Sequence, residues 1–548
     1  MFRRRYKKNG GYIGDWNLQN NTGVLAPLQE YSRHSRVPDW YRPVDWLPMP
    51  NMPEGTQMFA GLLAVFKGAS GFTGASGDSN FVALLARGNY IVDWGNGFTS
   101  AHTDNTVAQY QYNFEGVSAS TETTLGYRQV MIKVTPQSGA TLTAINLNQR
   151  FSSAPVTPSG FNSWLSIKLS GRNVNSFGIG SSSPTGRIDL LEEFEVVGDT
   201  VISGIADIFQ QVSLIQCIKG TRWTRNVLSS NSAFTNARSL RKIPLLDTRG
   251  FVSNTHSMFN QCSTFELCPP LYFDGVNDSS VINTAGLFNS SGIVIAPYLS
   301  LRRLNPSSII TNGAAGMFSF CQYLKKIPEN LDFSKNRFFN SMFQGCFSLS
   351  KIPKINTENG VTFNNMFDQC YSLDNLPGIC MGKAGDIRNV FDETGRLKTI
   401  GVDSIGFGVT SGSIAATDAF FRNTSIKAPS INWERLQLAG RIFGESRISI
   451  IPGGGITSGG GTGATFGWNT TSFLYQALSL KSFPVLNGLL QNIDMRFLNA
   501  SPTMLNQIFE GLGTTAGRLI VNGNWGATTG RGVSFGIATA KGWTFANA

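Results

Sequence analysis

A short pattern repeated at a fixed interval constrains this chain more than any other feature. Residues 316–328 read Gly-Met-Phe-Ser-Phe-Cys-Gln-Tyr-Leu-Lys-Lys-Ile-Pro, and 341–353 read Ser-Met-Phe-Gln-Gly-Cys-Phe-Ser-Leu-Ser-Lys-Ile-Pro. Residues 365–377 give it again as Asn-Met-Phe-Asp-Gln-Cys-Tyr-Ser-Leu-Asp-Asn-Leu-Pro. The anchor phenylalanine recurs as Phe209, Phe234, Phe259, Phe288, Phe318, Phe343, Phe367, Phe391, Phe420 and Phe443, with Leu474 as a weaker copy, at intervals of 23 to 31. A period in the twenties indicates a solenoid. One unit cannot bury its own apolar side, whereas stacked units form ladders through a shared core. Some eleven coils at about 4.8 Å each predict a body about 50 Å long.

Within a unit, Met342, Phe343 and Cys346 have a spacing that predicts one short helical turn. Leu349 and Ile352 fall on an extended stretch, because Pro353 pushes its predecessor out of the helical region. A proline cannot donate to a ladder, so it belongs at a strand's end or a corner. It recurs nine or ten residues after most anchors, as in Pro244, Pro269, Pro328 and Pro377. Cys262, Cys321, Cys346 and Cys370 each follow an anchor by three residues. That is a slot for a small apolar side chain, and without a C-x-x-C pair these read as reduced core thiols.

The hallmark Met-Phe-x-x-Cys-x-x-Leu resembles the BspA-type leucine-rich repeats of bacterial surface and phage proteins. The likeness covers about 201–500 and implies a leucine-rich-repeat solenoid, with little said about function.

Ahead of the repeats, residues 58–155 read as strands. Clean alternation in 108–114 and 127–134 marks half-buried strands, and Asn96-Gly97 directly after Tyr90-Ile-Val-Asp-Trp94 signals a hairpin. Trp94-Gly-Asn-Gly with Tyr112-x-Phe resembles PKD-like immunoglobulin sandwiches, where the pattern is Trp-Gly-Asp-Gly; Asn96 departs from it. The glycine-rich loop at Gly68, Gly71, Gly74 and Gly77 lacks the Gly-Lys-Ser/Thr of a phosphate loop. Residues 156–200 add strands that suit an N-terminal cap, and 501–548, with a helix over 503–512, suit a C-terminal cap. The fold class expected is mainly β with short helices: an extended arm over 1–57, a β-sandwich, then a capped solenoid.

The arm differs from the rest. Of the net charge of +11, five units come from Arg3, Arg4, Arg5, Lys7 and Lys8. Six prolines and the large aromatics Trp16, Trp40, Tyr41 and Trp46 follow. Cations resist burial without an acidic partner, and large aromatics are the usual interface anchors. The arm therefore docks, either on its own next domain or on a neighbouring subunit. No apolar run is long enough for a membrane span, the start lacks the apolar core of a secretory signal, and a solvated or docked arm is favoured over nucleic-acid binding.

Chemistry is sparse. Gly532-Val-Ser-Phe-Gly536 matches a nucleophile elbow, but His34, His102 and His256 all precede it, whereas that family's histidine follows the serine. Asp189, Glu192, Glu193 and Glu195 are the densest acidic group, and a solvated strand face is favoured over a glycosidase pair. No zinc pattern or calcium loop appears, so neither enzyme activity nor a cofactor is expected. The closing run Leu-x-x-Ile-Phe, Ile-Val-x-Gly-Asn, Ala-Thr-Ala-Lys-Gly-Trp and the opening Arg42-Pro-Val-Asp-Trp-Leu-Pro48 are similar to leucine-rich proteins of marine tailed phages. That resemblance implies a virion structural protein on the tail or capsid exterior. The expected role is a tail fibre or receptor-binding component, oligomeric in the particle, held to other virion proteins by its arm and meeting a host surface glycan or protein. The alternatives are a head decoration or vertex protein, and a solenoid depolymerase.

Overall fold

The computed structural model describes residues 39–67, 80–149, 163–179, 188–220, 230–246, 255–272, 283–300, 313–400 and 493–546, apart from isolated positions within those ranges. Among the described residues the chain is mainly β with a few short helices, and about eight solenoid turns are present. It divides into two units, Met1–Arg303 and Leu304–Ala548.

In the first unit, β1 (Met58–Val65), β2 (Phe81–Arg87), β3 (Tyr90–Asp93), β4 (Thr99–His102), β5 (Val107–Gln111), β6 (Arg128–Pro136), β7 (Ala144–Asn146), β8 (Trp164–Ser170), β9 (Ser176–Gly178), β10 (Glu193–Val197) and β11 (Cys217–Lys219) build two sheets. One has seven strands in the order β11-β10-β8-β1-β6-β3-β4, the other four in the order β5-β2-β7-β9. They face each other through aromatic contacts: Phe59 on β1 and Phe194 on β10 both meet Phe177 on β9, with ring centroids 6.2 and 5.4 Å apart. Gly61 is required on β1, because a Cβ there would lie 2.2 Å from the Trp164 ring. The hairpin expected at Asn96-Gly97 is the antiparallel β3–β4 pair.

The strand pairing runs across residue 155 and on into the repeats. β8 pairs antiparallel with β1, then β10 pairs parallel with β8 and β11 parallel with β10. Cys217 on β11 bridges Lys242 of the next coil, again in parallel. The seven-stranded sheet thus changes from antiparallel to parallel at β8, and its parallel end is the first rung of the solenoid.

Each coil is built the same way. The anchors Phe209, Phe234, Phe259 and Phe288 of the first unit are buried, and successive rings stack with centroids 5.1–5.5 Å apart. In the second unit Phe318, Phe343, Phe367 and Phe391 are buried and stack at 5.6–5.8 Å. Phe420 and Phe443 lie outside the described residues. Four residues before the anchor, Phe339 and Phe363 form a second inner stack at 5.2 Å. The bridging residues Lys242, Leu267, Lys351 and Asn375 stand two before Pro244, Pro269, Pro353 and Pro377, so each proline falls just past the ladder.

The expected helical turn at the anchor is corrected. Met342, Phe343 and Cys346 do point into the core, but the backbone there is a run of turns. The residues two before and two after each anchor are left-handed: Asp207 and Gln211, Ser232 and Asn236, Ser257 and Gln261, Gly286 and Ser290, Gly316 and Phe320, Ser341 and Gly345, Asn365 and Gln369, Asn389 and Glu393. This geometry points alternate N–H groups in different directions. Ser341, Phe343 and Gly345 donate to Asn364, Met366 and Asp368 of the next coil, while Met342, Gln344 and Cys346 donate to carbonyls three residues back. Every N–H of the segment is thereby satisfied although no regular strand forms. Left-handed backbone costs a non-glycine residue about 1–2 kcal/mol; Gly286 and Gly316 avoid that cost, and Asp207, Asn365 and Asn389 are of the types that tolerate it best.

The cysteines are free thiols. Cys262, Cys346 and Cys370 donate Sγ–H to the carbonyls of Phe234, Phe318 and Phe343 in the preceding coil, at 3.0, 3.1 and 3.1 Å. Burial pushes these thiols far up, so they keep the proton they donate.

The second unit also holds α1 (Pro502–Glu510), close to the helix expected over 503–512, together with α2 (Phe535–Thr539) and parallel strands at Ile493–Asp494, Arg518–Ile520 and Thr544–Phe545. Ser501 caps α1 by accepting from the Met504 N–H, and proline follows in the first turn, a standard helix start.

Candidate interaction surfaces

The first site is where the arm meets its own sheet. β1 is buried along nearly its whole length rather than on alternate residues, which means both of its faces are covered. One face looks into the sandwich. The other presents Leu62 and Ala64, beside Leu165 and Tyr127, and Trp46 fills the space over them with Trp40, Leu47 and Met49 packed around it. Burying such aromatic and aliphatic groups stabilises by about 1.5–3 kcal/mol each. Trp46 Nε1 donates to the Tyr127 hydroxyl at 2.8 Å, and Gln129 anchors the arm backbone at Leu47 N and Asp45 O. Thr124 N–H and Oγ1–H donate to Asp45 and hold that carboxyl below its ordinary range.

A buried ion cluster pins the arm at the sheet's antiparallel-to-parallel junction. Arg42 and Lys219 both contact the Glu193 carboxylate, and Ser166 Oγ donates to it at 2.9 Å. Burial alone would raise Glu193, but the Lys219 ammonium, Arg42 and Ser166 outweigh it and hold the carboxyl below its usual value. Next to it Trp40 Nε1 donates to Glu192 at 2.8 Å, and burial pushes that carboxyl up. Glu195 pairs with Lys168 at 3.6 Å. The acidic group of the sequence is therefore not a plain solvated face. Glu193 is contacted by two cations that hold its carboxyl below the usual value, and it holds the arm. Asp189 lies outside the described residues.

This corrects the expectation for two arm residues. Trp40 and Trp46 are occupied by their own sheet, so the own-domain alternative holds for them. Tyr41 projects with 79% of its surface exposed, and Val44 and Leu125 are exposed as well. Arg3, Arg4, Arg5, Lys7, Lys8 and Trp16 lie outside the described residues. Sequence reading missed Arg42, Glu193 and Lys219 as one cluster, since their spacing along the chain gives no local signal.

The second site is the β3–β4 hairpin. Trp94 stacks on Tyr110 at 5.2 Å, and exposed Phe98 leans on the same ring. Trp94 Nε1 donates to Ser100 Oγ, which lies 2.8 Å from His102 Nε2. Burial lowers His102, favouring the neutral ring.

The third site is on the coils of the second unit. Exposed Phe320, Tyr323 and Tyr371 and half-buried Phe347 lie two to five residues after their anchors, at one corner of three successive coils. Phe347 and Tyr371 have centroids 5.2 Å apart. The Tyr371 hydroxyl donates to Glu393 at 2.9 Å, and Gln344 Nε2 donates to Asp368 at 2.9 Å. Partial burial, with the Glu393 carboxylate, pushes the Tyr371 phenol up to about 12. The sequence signal was present: an aromatic at the +2 slot, where other coils carry Gln, Asn, Ser, Gly or Glu.

Among the described residues no group of three His, Cys, Asp or Glu is placed to hold a metal ion, and no helix is long and apolar enough to cross a membrane.

No curated protein and no solved structure matches the chain. Residues 305–400 match the family model described as "Mycoplasma protein of unknown function, DUF285". That match and the solenoid together are consistent with a BspA-type repeat protein.

Proposed function

We propose that this chain is a non-enzymatic structural and recognition protein of a tailed-phage virion, acting as a tail fibre or other receptor-binding component. The observation that carries the recognition role is the exposed aromatic corner on a rigid ladder of coils. Solvent-facing rings in a row stabilise nothing in the interior, and such patches mark interaction surfaces. Solenoids offer long repeating surfaces for this purpose. Membership of a virion rests on the likeness of the opening and closing motifs to phage leucine-rich proteins. In this reading the sheets ahead of the coils form a PKD-like immunoglobulin sandwich that spaces the recognition surface. Residues 1–38, with their cationic cluster, join other virion proteins, while 39–53 strap that domain's outer face. A head decoration or vertex protein of the same virion is the second reading, and the exposed Tyr41, Val44 and Leu125 favour it as a particle-facing contact.

The test is competition. Purified protein added to host cells before infection should reduce phage adsorption in proportion to its concentration. Unchanged adsorption at saturating protein would overturn the receptor-binding role. Release of reducing sugar from host envelope would point to the depolymerase.

A further inference from the structure

The tip of the β3–β4 hairpin holds a reactive pair. Asn96 and Gly97 are both exposed, and Asn96 stands between two glycines with φ 75° and 89°. Trp94 N–H donates to Phe98 O at 3.0 Å and closes the loop, but Gly97 N–H meets no acceptor among the described residues. A Cβ on Gly97 would have nothing within 4 Å, so water reaches that nitrogen. Glycine backbone turns at little steric cost, which lets the Gly97 nitrogen swing onto the neighbouring carboxamide.

That carboxamide is held at both ends. Asn96 Oδ1 accepts from Phe98 N–H at 3.2 Å, and Nδ2 donates to the Tyr110 hydroxyl at 2.7 Å. Tyr110 is fixed in turn, its ring stacked on Trp94 at 5.2 Å with Phe98 against it at 5.9 Å. Attack at Cγ puts negative charge on Oδ1, where Phe98 N–H already points, and a donor placed at a developing oxyanion lowers the barrier. The departing nitrogen needs a proton, and the Tyr110 hydroxyl is within reach to supply it.

We infer that this hairpin is a self-modifying site, at which Asn96 loses ammonia to its own backbone through a cyclic imide that water opens to aspartate or isoaspartate. The Gly97 nitrogen bonds to Asn96 Cγ, its proton passes to water, and the carbonyl electron pair moves to Oδ1. The pair returns as the Cγ–Nδ2 bond breaks, and the nitrogen leaves as ammonia with a proton from Tyr110, which water replaces. Water then adds to one imide carbonyl. Breaking the new bond to Cγ gives aspartate; breaking the original peptide bond gives isoaspartate. The net change is carboxamide and water to carboxylate and ammonia. The product carries a negative charge three residues from Asp93 and loses the Nδ2 donor that ties the hairpin to β5.

The same dipeptide at Asn359-Gly360 is locked. Asn359 Nδ2 donates to Ser334 O at 2.8 Å, its Oδ1 accepts from Lys383 at 2.7 Å, and Gly360 N–H donates to Thr357 O at 2.9 Å. Those bonds must break before attack, which slows Asn359 by about tenfold or more relative to Asn96.

The test holds the folded full chain at mildly alkaline pH, digests samples over time and follows the amide-to-acid mass gain at each asparagine by fragmentation mass spectrometry. Asn96 should convert at least about tenfold faster than Asn359, and faster as pH rises. In concentrated urea, where only the shared dipeptide remains, the two rates should converge. Tyr110→Phe keeps the ring on Trp94 and should slow Asn96 in the folded chain but not in urea. Asn96→Gln should abolish the gain at that position. An intact Asn96, or equal conversion of Asn96 and Asn359 in the folded chain, overturns the inference; an unchanged folded rate in Tyr110→Phe overturns the part given to that hydroxyl.

Discussion

Replacing Phe343 separates two contributions to the ladder. Its ring is fully buried between Phe318 at 5.7 Å and Phe367 at 5.6 Å, with interplanar angles of 3° and 10°. Phe343→Ala removes the apolar transfer term and leaves a cavity in a close-packed interior, which costs about 3–5 kcal/mol. Phe343→Leu keeps most of the apolar volume but loses two ring–ring contacts, each about 0.5–1.5 kcal/mol, for a total near 1–3 kcal/mol. The cavity cannot close easily, because Ser341 N, Phe343 N and Gly345 N hold the following coil while the carbonyls of Asn340, Met342 and Gln344 hold the preceding one. Urea unfolding of the full chain, followed by far-ultraviolet circular dichroism, reads both variants through the midpoint at unchanged slope. The expected order is parent, Leu, Ala. A loss under about 1 kcal/mol for Ala would refute the ladder as a source of stability, and equal losses for Ala and Leu would show that stacking, not burial, dominates.

Deleting residues 1–38 should leave Tm within a degree or two, whereas deleting 1–50 should lower it by several degrees, since that strips Trp46 from Leu62 and Leu165 and leaves Glu193 without Arg42; scanning calorimetry distinguishes them. Adjacent glutamates should respond in opposite directions. Glu193 is depressed when folded, so its contribution is present above the unfolded value near pH 4.3 and is lost as pH falls below it; Glu193→Gln should destabilise at pH 7 and flatten the acid limb. Glu192 is raised, so its contribution is present below the unfolded value and is lost as pH rises through the folded one; Glu192→Gln should be neutral or stabilising at pH 7. Cys346→Ala should cost about 1 kcal/mol through its lost hydrogen bond to Phe318 O, and reductant should leave the parent's unfolding curve unchanged.

The repeat was legible because its inner positions each tolerate few side chains: a ring at the anchor, a small group three residues on, a proline past the bridge. The turn geometry was not. Apolar spacing of i, i+1, i+4 says which side chains point inward, and Met342, Phe343 and Cys346 do, but it does not distinguish a helical turn from two left-handed residues flanking the anchor. The clue lay in Asp207, Gly286, Gly316, Asn365 and Asn389, whose common property is tolerance of that backbone. The second face of β1 was also readable, since 58–65 lacks alternation. Its cover was not, because Trp46 reaches Tyr127 and Arg42 reaches Glu193 across 81 and 151 residues. Parallel pairing of β8, β10 and β11 is a matter of backbone register, which short strands do not spell out in side chains.

The recognition reading is tested most directly by locating the protein on its particle. An antibody raised against residues 313–400, tagged with gold and viewed on intact virions by electron microscopy, should label the distal tail. Label distributed over the head would transfer the account to a decoration or vertex protein, and virions that carry no label, with the protein absent from their mass-spectrometric inventory, would contradict it.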